Sequence, residues 1–99
     1  MLENVELSSE DRRRLKIYAA QRNETMKDLL LYEAHQIIDT DSIVPLVDRA
    51  NDYVTLIIDV PEDFKADIKQ FCNQKEIRIR DLWVESCRRI LEGYDEITN

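Results

Sequence analysis

Residues 54–63, Val-Thr-Leu-Ile-Ile-Asp-Val-Pro-Glu-Asp, predict a β-strand that leads directly into a helix. The apolar residues recur at every second position, which places them on one face of a strand. Pro61 lacks an amide hydrogen and has a fixed φ, so it suits the first turn of a helix. Glu62 and Asp63 then bring negative charge to the positive end of the helix dipole. A weaker version of the same pattern occurs at residues 5–11, Val-Glu-Leu-Ser-Ser-Glu-Asp.

The two patterns belong to an internal repeat. When the sequence is shifted by 53 residues, positions 5–39 align without a gap and their apolar positions coincide almost throughout. Each copy predicts a strand followed by two helices, the first copy at 3–39 and the second at 53–92, with a linker at 40–52. Aligned pairs include Leu7 with Val60, Leu15 with Ile68, Tyr18 with Phe71, Asp28 with Asp81, and Leu30 with Trp83.

The repeat also predicts the fold class. One strand and two helices are too few to bury an adequate core, so the two copies must share one. We expect a single domain, residues 1–99, that is mainly α with a two-stranded antiparallel β-ribbon, the four helices packing beneath the ribbon. The apolar linker residues predict that the linker packs against this domain; they are Ile43, Val44, Leu46 and Val47.

The composition argues against an enzyme and against a membrane protein. With one His, one Gly and two Cys, the chain has no metal-ligand spacing, Gly-rich phosphate loop or catalytic triad, so we expect no catalysis, metal or cofactor. No apolar run approaches the ~20 residues that cross a bilayer, and no signal-peptide core follows Met1, which favours the cytoplasm. The net charge of −7 opposes phosphate binding by the protein as a whole but leaves room for a local basic patch.

Two stretches of the sequence resemble the ribbon-helix-helix (MetJ/Arc/CopG-like) regulators. The first is Leu-Ser-Ser-Glu-Asp-Arg-Arg-Arg-Leu-Lys-Ile-Tyr-Ala-Ala at 7–20 with Thr-Met-Lys-Asp-Leu-Leu at 25–30, and the second runs from Val60-Pro61-Glu62 to Asp81-Leu82. Two copies in one chain are similar to the tandem, pseudo-dimeric branch of the family, of which conjugation accessory proteins are examples. The resemblance implies a regulator that binds double-stranded DNA, either a transcriptional repressor or an accessory factor of a plasmid or other mobile element.

The resemblance assigns DNA contacts to two parts of each copy. Members of the family lay the ribbon in the major groove, where its outward side chains read base edges. The outward residues here are Leu2, Asn4, Glu6, Thr55, Ile57 and Asp59. The N-terminus of each second helix anchors phosphates, and the matching residues are Thr25 and Lys27 in the first copy and Arg78 and Arg80 in the second. These four residues are equally compatible with ordinary solvated side chains beside a helix start.

The same ribbon is compatible with a second function. Leu2 and Ile57 are apolar, and Glu6 and Asp59 are acidic, a combination that suits a protein contact better than a major groove. In that case the fold would serve as a protein-interaction module that binds a protein partner or a second copy of the chain and does not bind DNA.

Overall fold

The chain folds in the predicted order of elements. The computed structural model describes residues 1–47 and 52–98, with the backbone alone for 95–98. These ranges contain β1 (Leu2–Ser8), α1 (Ser9–Gln21), α2 (Met26–Asp39), β2 (Tyr53–Asp59), α3 (Glu62–Lys75) and α4 (Ile79–Thr98). The predicted fold class, mainly α with one two-stranded antiparallel sheet, is confirmed for these residues. The β-α-α-β-α-α order is consistent with two ribbon-helix-helix units paired within one chain.

The register of the sheet agrees with the internal repeat. β1 and β2 pair antiparallel from Leu2 opposite Asp59 to Ser8 opposite Tyr53. At the centre, Asn4 lies opposite Ile57, and 57 minus 4 is the 53-residue offset of the repeat. A residue that pairs with its own repeat equivalent marks the axis of a two-fold relation. The two copies are therefore arranged about a pseudo-two-fold axis through the middle of the sheet.

Side chains cap both helices of the first copy. Ser8 caps α1, because its Oγ accepts a hydrogen bond from the Asp11 amide at 3.1 Å. Thr25 caps α2 in the same way, with its Oγ1 3.0 Å from the Asp28 amide. Pro61 precedes α3 in an extended conformation and makes no side-chain cap. Thus α1 begins directly after β1, whereas Val60 and Pro61 separate β2 from α3.

The first helices of the two copies, α1 and α3, also end in the same way. Asn23 after α1 and Glu76 after α3 both adopt left-handed backbone angles, with φ of 55° and 57°. The next amide, from Glu24 or Ile77, donates back to a carbonyl of the last turn at 2.9 or 3.0 Å. Asn tolerates the left-handed region better than Glu does, so Glu76 carries backbone strain at a position where the first copy has a better-suited residue.

The core lies between the sheet and the helices and draws on both copies. Leu30 and Trp83, which the repeat aligns, are both fully buried in the core. Cys72 and Cys87 are buried free thiols. The other large buried side chains include Val5, Leu7, Leu15, Ile37, Ile58, Val60, Phe64, Ile68 and Leu82. Contacts between α2 and α4 join the two copies.

The linker packs less completely than its apolar sequence predicts. Val44 is buried, but the side chains of Ile43 and Leu46 are 86% and 65% exposed. Val47 is half-buried. Residues 48–51 of the predicted linker lie outside the described residues. The described part of the linker therefore packs against the domain through Val44 and Val47, whereas Ile43 and Leu46 remain exposed.

α4 is longer than the second copy predicts. It continues to Thr98, past the predicted end of that copy at residue 92.

No helix within residues 1–47 and 52–98 combines the length and the apolar character that crossing a membrane requires.

Candidate functional site

The outward surface of the sheet, here called the ribbon face, consists of three cross-strand pairs. Leu2 lies opposite Asp59, Asn4 opposite Ile57 and Glu6 opposite Thr55. The side chains of Leu2 and Ile57 are 71% and 60% exposed. Three of the remaining four residues are also exposed, and Glu6 is half-buried. All the residues that the resemblance assigns to base contacts therefore lie together on one accessible surface.

The ribbon face is acidic at both ends. Glu6 and Asp59 are equivalent in the repeat, and the antiparallel pairing puts them in the two outer pairs. Asp59 accepts a hydrogen bond from the ammonium group of Met1 at 2.9 Å. This hydrogen bond and the ammonium charge, with a smaller contribution from Lys27, lower the pKa of the Asp59 carboxyl. None of the six residues of the ribbon face is Lys or Arg.

An ion pair on the inner side of β1 was not found by sequence analysis. Glu3 Oε2 lies 3.1 Å from Lys65 Nζ, and the two side chains are only 15% and 17% exposed. The pair connects β1 to α3 and holds the ribbon on the helices of the second copy. The sequence did contain a signal for this ion pair. Because side chains alternate between the two faces of a strand, Glu3 falls on the same inner face of β1 as Val5 and Leu7.

The N-terminus of α2 is open to solvent. Thr25, Lys27 and Asp28 are all exposed. Lys27 is close enough to the ribbon face for its charge to lower the pKa of Asp59. A helix start whose residues are exposed, with an ammonium group nearby, is suited to an anion. This end of the molecule therefore keeps the arrangement that the resemblance predicts for phosphate anchoring.

The N-terminus of α4 is closed. Asp81, the equivalent of Asp28, is fully buried. Its carboxylate accepts the backbone amides of Arg78 at 2.9 Å and of Val47 at 3.1 Å. Each carboxylate oxygen also accepts a hydrogen bond from the Arg78 guanidinium at 3.1 Å. The amide of Arg78, the residue just before α4, is thus bound by a side chain from the first turn of that helix.

The linker completes the closure through one carbonyl group. The Val47 oxygen accepts hydrogen bonds from Arg78 Nη2 at 2.6 Å and from Arg80 Nη2 at 3.3 Å. We call Val47, Arg78, Arg80 and Asp81 the linker clamp. Burial alone would raise the pKa of the Asp81 carboxyl, but the hydrogen bonds from Arg78 and Val47 outweigh it and lower that pKa. Asp81 is therefore ionised at neutral pH.

The four predicted anchoring residues thus fall into two different environments. Thr25 and Lys27 face solvent, whereas Arg78 and Arg80 bind the linker. The spacing of three residues between Arg78 and Asp81 was a sequence signal for their ion pair. The contact with Val47 had no such signal, because a backbone carbonyl is the same in every residue type.

Two of the surface cavities border α2. One, of about 170 Å³, is lined in part by Tyr18, Arg22, Glu33 and Arg89, and is below the ~300 Å³ at which small-molecule sites begin. The other, of about 360 Å³, lies near the N-terminus of α2 and is lined by Arg22, Glu24, Asp28, Leu29 and Tyr32. Among the residues that the structure describes, no group of three or more His, Cys, Asp or Glu side chains could hold a metal ion. Comparisons of the chain with protein-family models, with curated proteins and with solved structures found no match.

Proposed function

We propose that the chain is a ribbon-helix-helix protein that associates with double-stranded DNA in the cytoplasm, as a transcriptional repressor or as an accessory factor of a plasmid or other mobile element. The observation that carries this proposal is the exposed ribbon face beside the open N-terminus of α2. A two-stranded ribbon fits the major groove, which is about 12 Å wide. A helix start next to it can bind a backbone phosphate while the ribbon reaches the bases.

The ribbon face offers a small set of base contacts. Asn4 can bind adenine with two hydrogen bonds, and Thr55 can bind several bases. Glu6 and Asp59 can accept a hydrogen bond from cytosine N4, and Ile57 can pack on a thymine methyl group. Asn4 and Ile57 meet at the pseudo-two-fold axis although they differ in chemistry. We therefore expect a recognition site that is not palindromic at its centre, because the symmetry of a site follows the symmetry of its reader.

Charge limits the affinity that this surface can reach. The chain has a net charge of −7, and the ribbon face carries carboxylates at both ends. Carboxylates near the groove are repelled by the phosphates on either side of it. We therefore expect binding that depends on few phosphate contacts and is measurable mainly at low salt.

A salt titration tests the proposal. Labelled duplexes, one of random sequence and one from the region around the chain's own gene, are titrated with the protein between ~50 and ~200 mM salt. We expect binding that weakens as the salt concentration rises, with a slope that corresponds to a few phosphate contacts, and tighter binding to the gene region. Failure of the folded protein to bind either duplex at ~50 mM salt would refute the proposal.

Two lysine variants provide a charge-matched control. Lys27→Ala should lower the slope of log K against log salt by about 0.9, the value for one phosphate contact. Lys16, in the middle of α1, is also exposed, and Lys16→Ala should leave the slope unchanged. Equal effects of the two substitutions would mean that total charge, and not the N-terminus of α2, governs binding. Asn4→Ala should remove the preference for the gene region and leave the slope unchanged.

The second candidate function is a protein-interaction module, which the exposed apolar residues of the ribbon face favour. Leu2 and Ile57 are diagonal neighbours across the strands, 71% and 60% exposed. If this surface binds a second copy of the chain, sedimentation should show a dimer that Ile57→Asp abolishes. Tyr32→Asp is the matched control, because Tyr32 is 62% exposed on α2. A monomer at all concentrations would exclude self-association and leave a different protein as the partner.

A further inference from the structure

The two second helices begin in equivalent positions of the repeat but present different surfaces. At α2 the residues aligned with the linker clamp are exposed: Thr25, Lys27 and Asp28. At α4 the aligned aspartate has no exposed surface. The difference does not lie in the helix starts alone, because the described part of the linker binds the start of α4 through Val47.

The Val47 carbonyl occupies the position of an anion. Two guanidinium groups converge on its oxygen, Arg78 at 2.6 Å and Arg80 at 3.3 Å. The Asp81 carboxylate takes the Arg78 amide at 2.9 Å. Free helix amides and guanidinium groups are the donors with which proteins bind phosphate. At α4 both guanidinium groups, and the amide of the residue just before the helix, are already bound to groups of the same chain.

We propose that the linker is an intramolecular strap that keeps the second anchoring site, at α4, shut. Until Val47 is released, the chain anchors DNA phosphates at α2 alone. This inference rests on the proposed function. The strap competes with a phosphate for Arg78 and Arg80, and its release converts one-sided anchoring into two-sided anchoring. The linker clamp is thus a regulatory contact as well as a structural one.

Two observations indicate that the closed state can open. Arg80 Nε is buried and has no hydrogen-bond partner among the described residues, so the clamp leaves one donor of the guanidinium unsatisfied. A phosphate oxygen that displaced Val47 could accept from Nε as well as from Nη2. In addition, Leu46 is 65% exposed beside Val47, so this part of the linker is not held by burial of that side chain. Among the described residues, the hydrogen bonds of Val47 and the buried side chain of Val44 attach the linker to the domain.

Duplex binding by four proteins tests the strap: the native chain, Arg80→Ala, Val47→Pro, and the double variant. Val47→Pro removes the amide hydrogen that Asp81 accepts, and Leu46→Ala is the control within the same segment. Arg80→Ala should weaken DNA binding much less than Lys27→Ala does. Val47→Pro should steepen the salt slope by at least about 0.9, which is about a threefold larger loss of affinity between ~50 and ~200 mM salt. In the double variant this gain should disappear.

The outcomes separate the strap from the proposed function. If Arg80→Ala weakens the native chain as much as Lys27→Ala does, the second site is open and the strap is refuted while DNA binding stands. An unchanged slope in Val47→Pro, with circular dichroism showing a folded protein, also refutes the strap. Binding by Val47→Pro but not by the native chain supports it, and binding by neither overturns both proposals. Should Val47→Pro fail to fold, Asp81→Asn serves instead, because it keeps an acceptor oxygen and removes the charge.

Discussion

Asp81→Ala is expected to destabilise the fold far more than Asp28→Ala, although the repeat places the two residues at equivalent positions. Asp81 is fully buried and accepts hydrogen bonds from the amides of Val47 and Arg78 and from the Arg78 guanidinium. The alanine variant leaves these donors without their acceptor. Asp28 is exposed, so its loss leaves no buried group unpaired.

The magnitude follows from these environments. Removing one partner of a buried ion pair costs about 3–5 kcal/mol. The Arg78 side chain is 53% exposed and can be rehydrated, which favours the lower end of this range. Asp28→Ala removes only a favourable interaction with the helix dipole, about 0.3–1 kcal/mol. The expected difference of about 2 kcal/mol or more corresponds to roughly 8–16 °C in Tm for a domain of this size.

Urea denaturation of the native chain and both variants measures this difference. At pH 7 the unfolding free energies should rank native, Asp28→Ala, Asp81→Ala, with the largest step at Asp81. The folded-state pKa of Asp81 is lowered, so its stabilisation is present above the unfolded pKa of about 3.9 and is lost as pH falls through the folded pKa. The two aspartate variants should therefore converge below pH ~4. If they agree within ~0.5 kcal/mol at pH 7, the linker clamp contributes no net stability and the reasoning fails.

Three further predictions concern stability and use the same assay. Leu82→Ala should lower the free energy of unfolding by about 3–5 kcal/mol because Leu82 is fully buried. Leu29→Ala should lower it by about 1–2 kcal/mol because Leu29 is half-buried. Equal losses of stability in the two variants would contradict the assigned core. Glu76→Gly should stabilise the fold by about 1 kcal/mol because it relieves a left-handed backbone at φ 57°, and Asn23→Gly should gain less. Burial alone would raise the pKa of the Glu85 carboxyl, but hydrogen bonds from two arginines lower it. The stability that Glu85 contributes should therefore be lost as pH falls below about 4.3 and through its folded pKa, and Glu85→Gln should reduce this acid sensitivity.

The fold was predictable because apolar spacing and repetition are both encoded in side chains. The alternation in residues 54–60 defined β2, and the match between Leu30 and Trp83 identified a shared core position in advance of the structure. The sheet register then placed Asn4 opposite Ile57, the pair that a repeat offset of 53 residues requires for two-fold pairing. Patterns of this kind can be detected in a single sequence because each depends only on the residue types at the positions concerned.

The linker clamp and the exposure of the linker were not predictable by the same means. Ile43 and Leu46 are apolar and yet exposed, because the linker makes its main described polar contact through the Val47 backbone and buries only Val44. Asp81 was aligned with Asp28 and so was expected to behave as an ordinary residue of a first helical turn. Which of two equivalent aspartates becomes buried depends on where the linker runs, and that is a property of the tertiary structure.

The covalent connection between the copies is itself the source of the asymmetry. In a homodimer of two identical chains, each second helix would meet the same surroundings, and both anchoring sites would be open or both closed. In this chain the described part of the linker binds α4 through Val47. Two copies within one chain can also differ at the axis of the sheet, as Asn4 and Ile57 do. Under the proposed function, such a chain would recognise a non-palindromic site and anchor it at one end, which a symmetric dimer of identical units would not do.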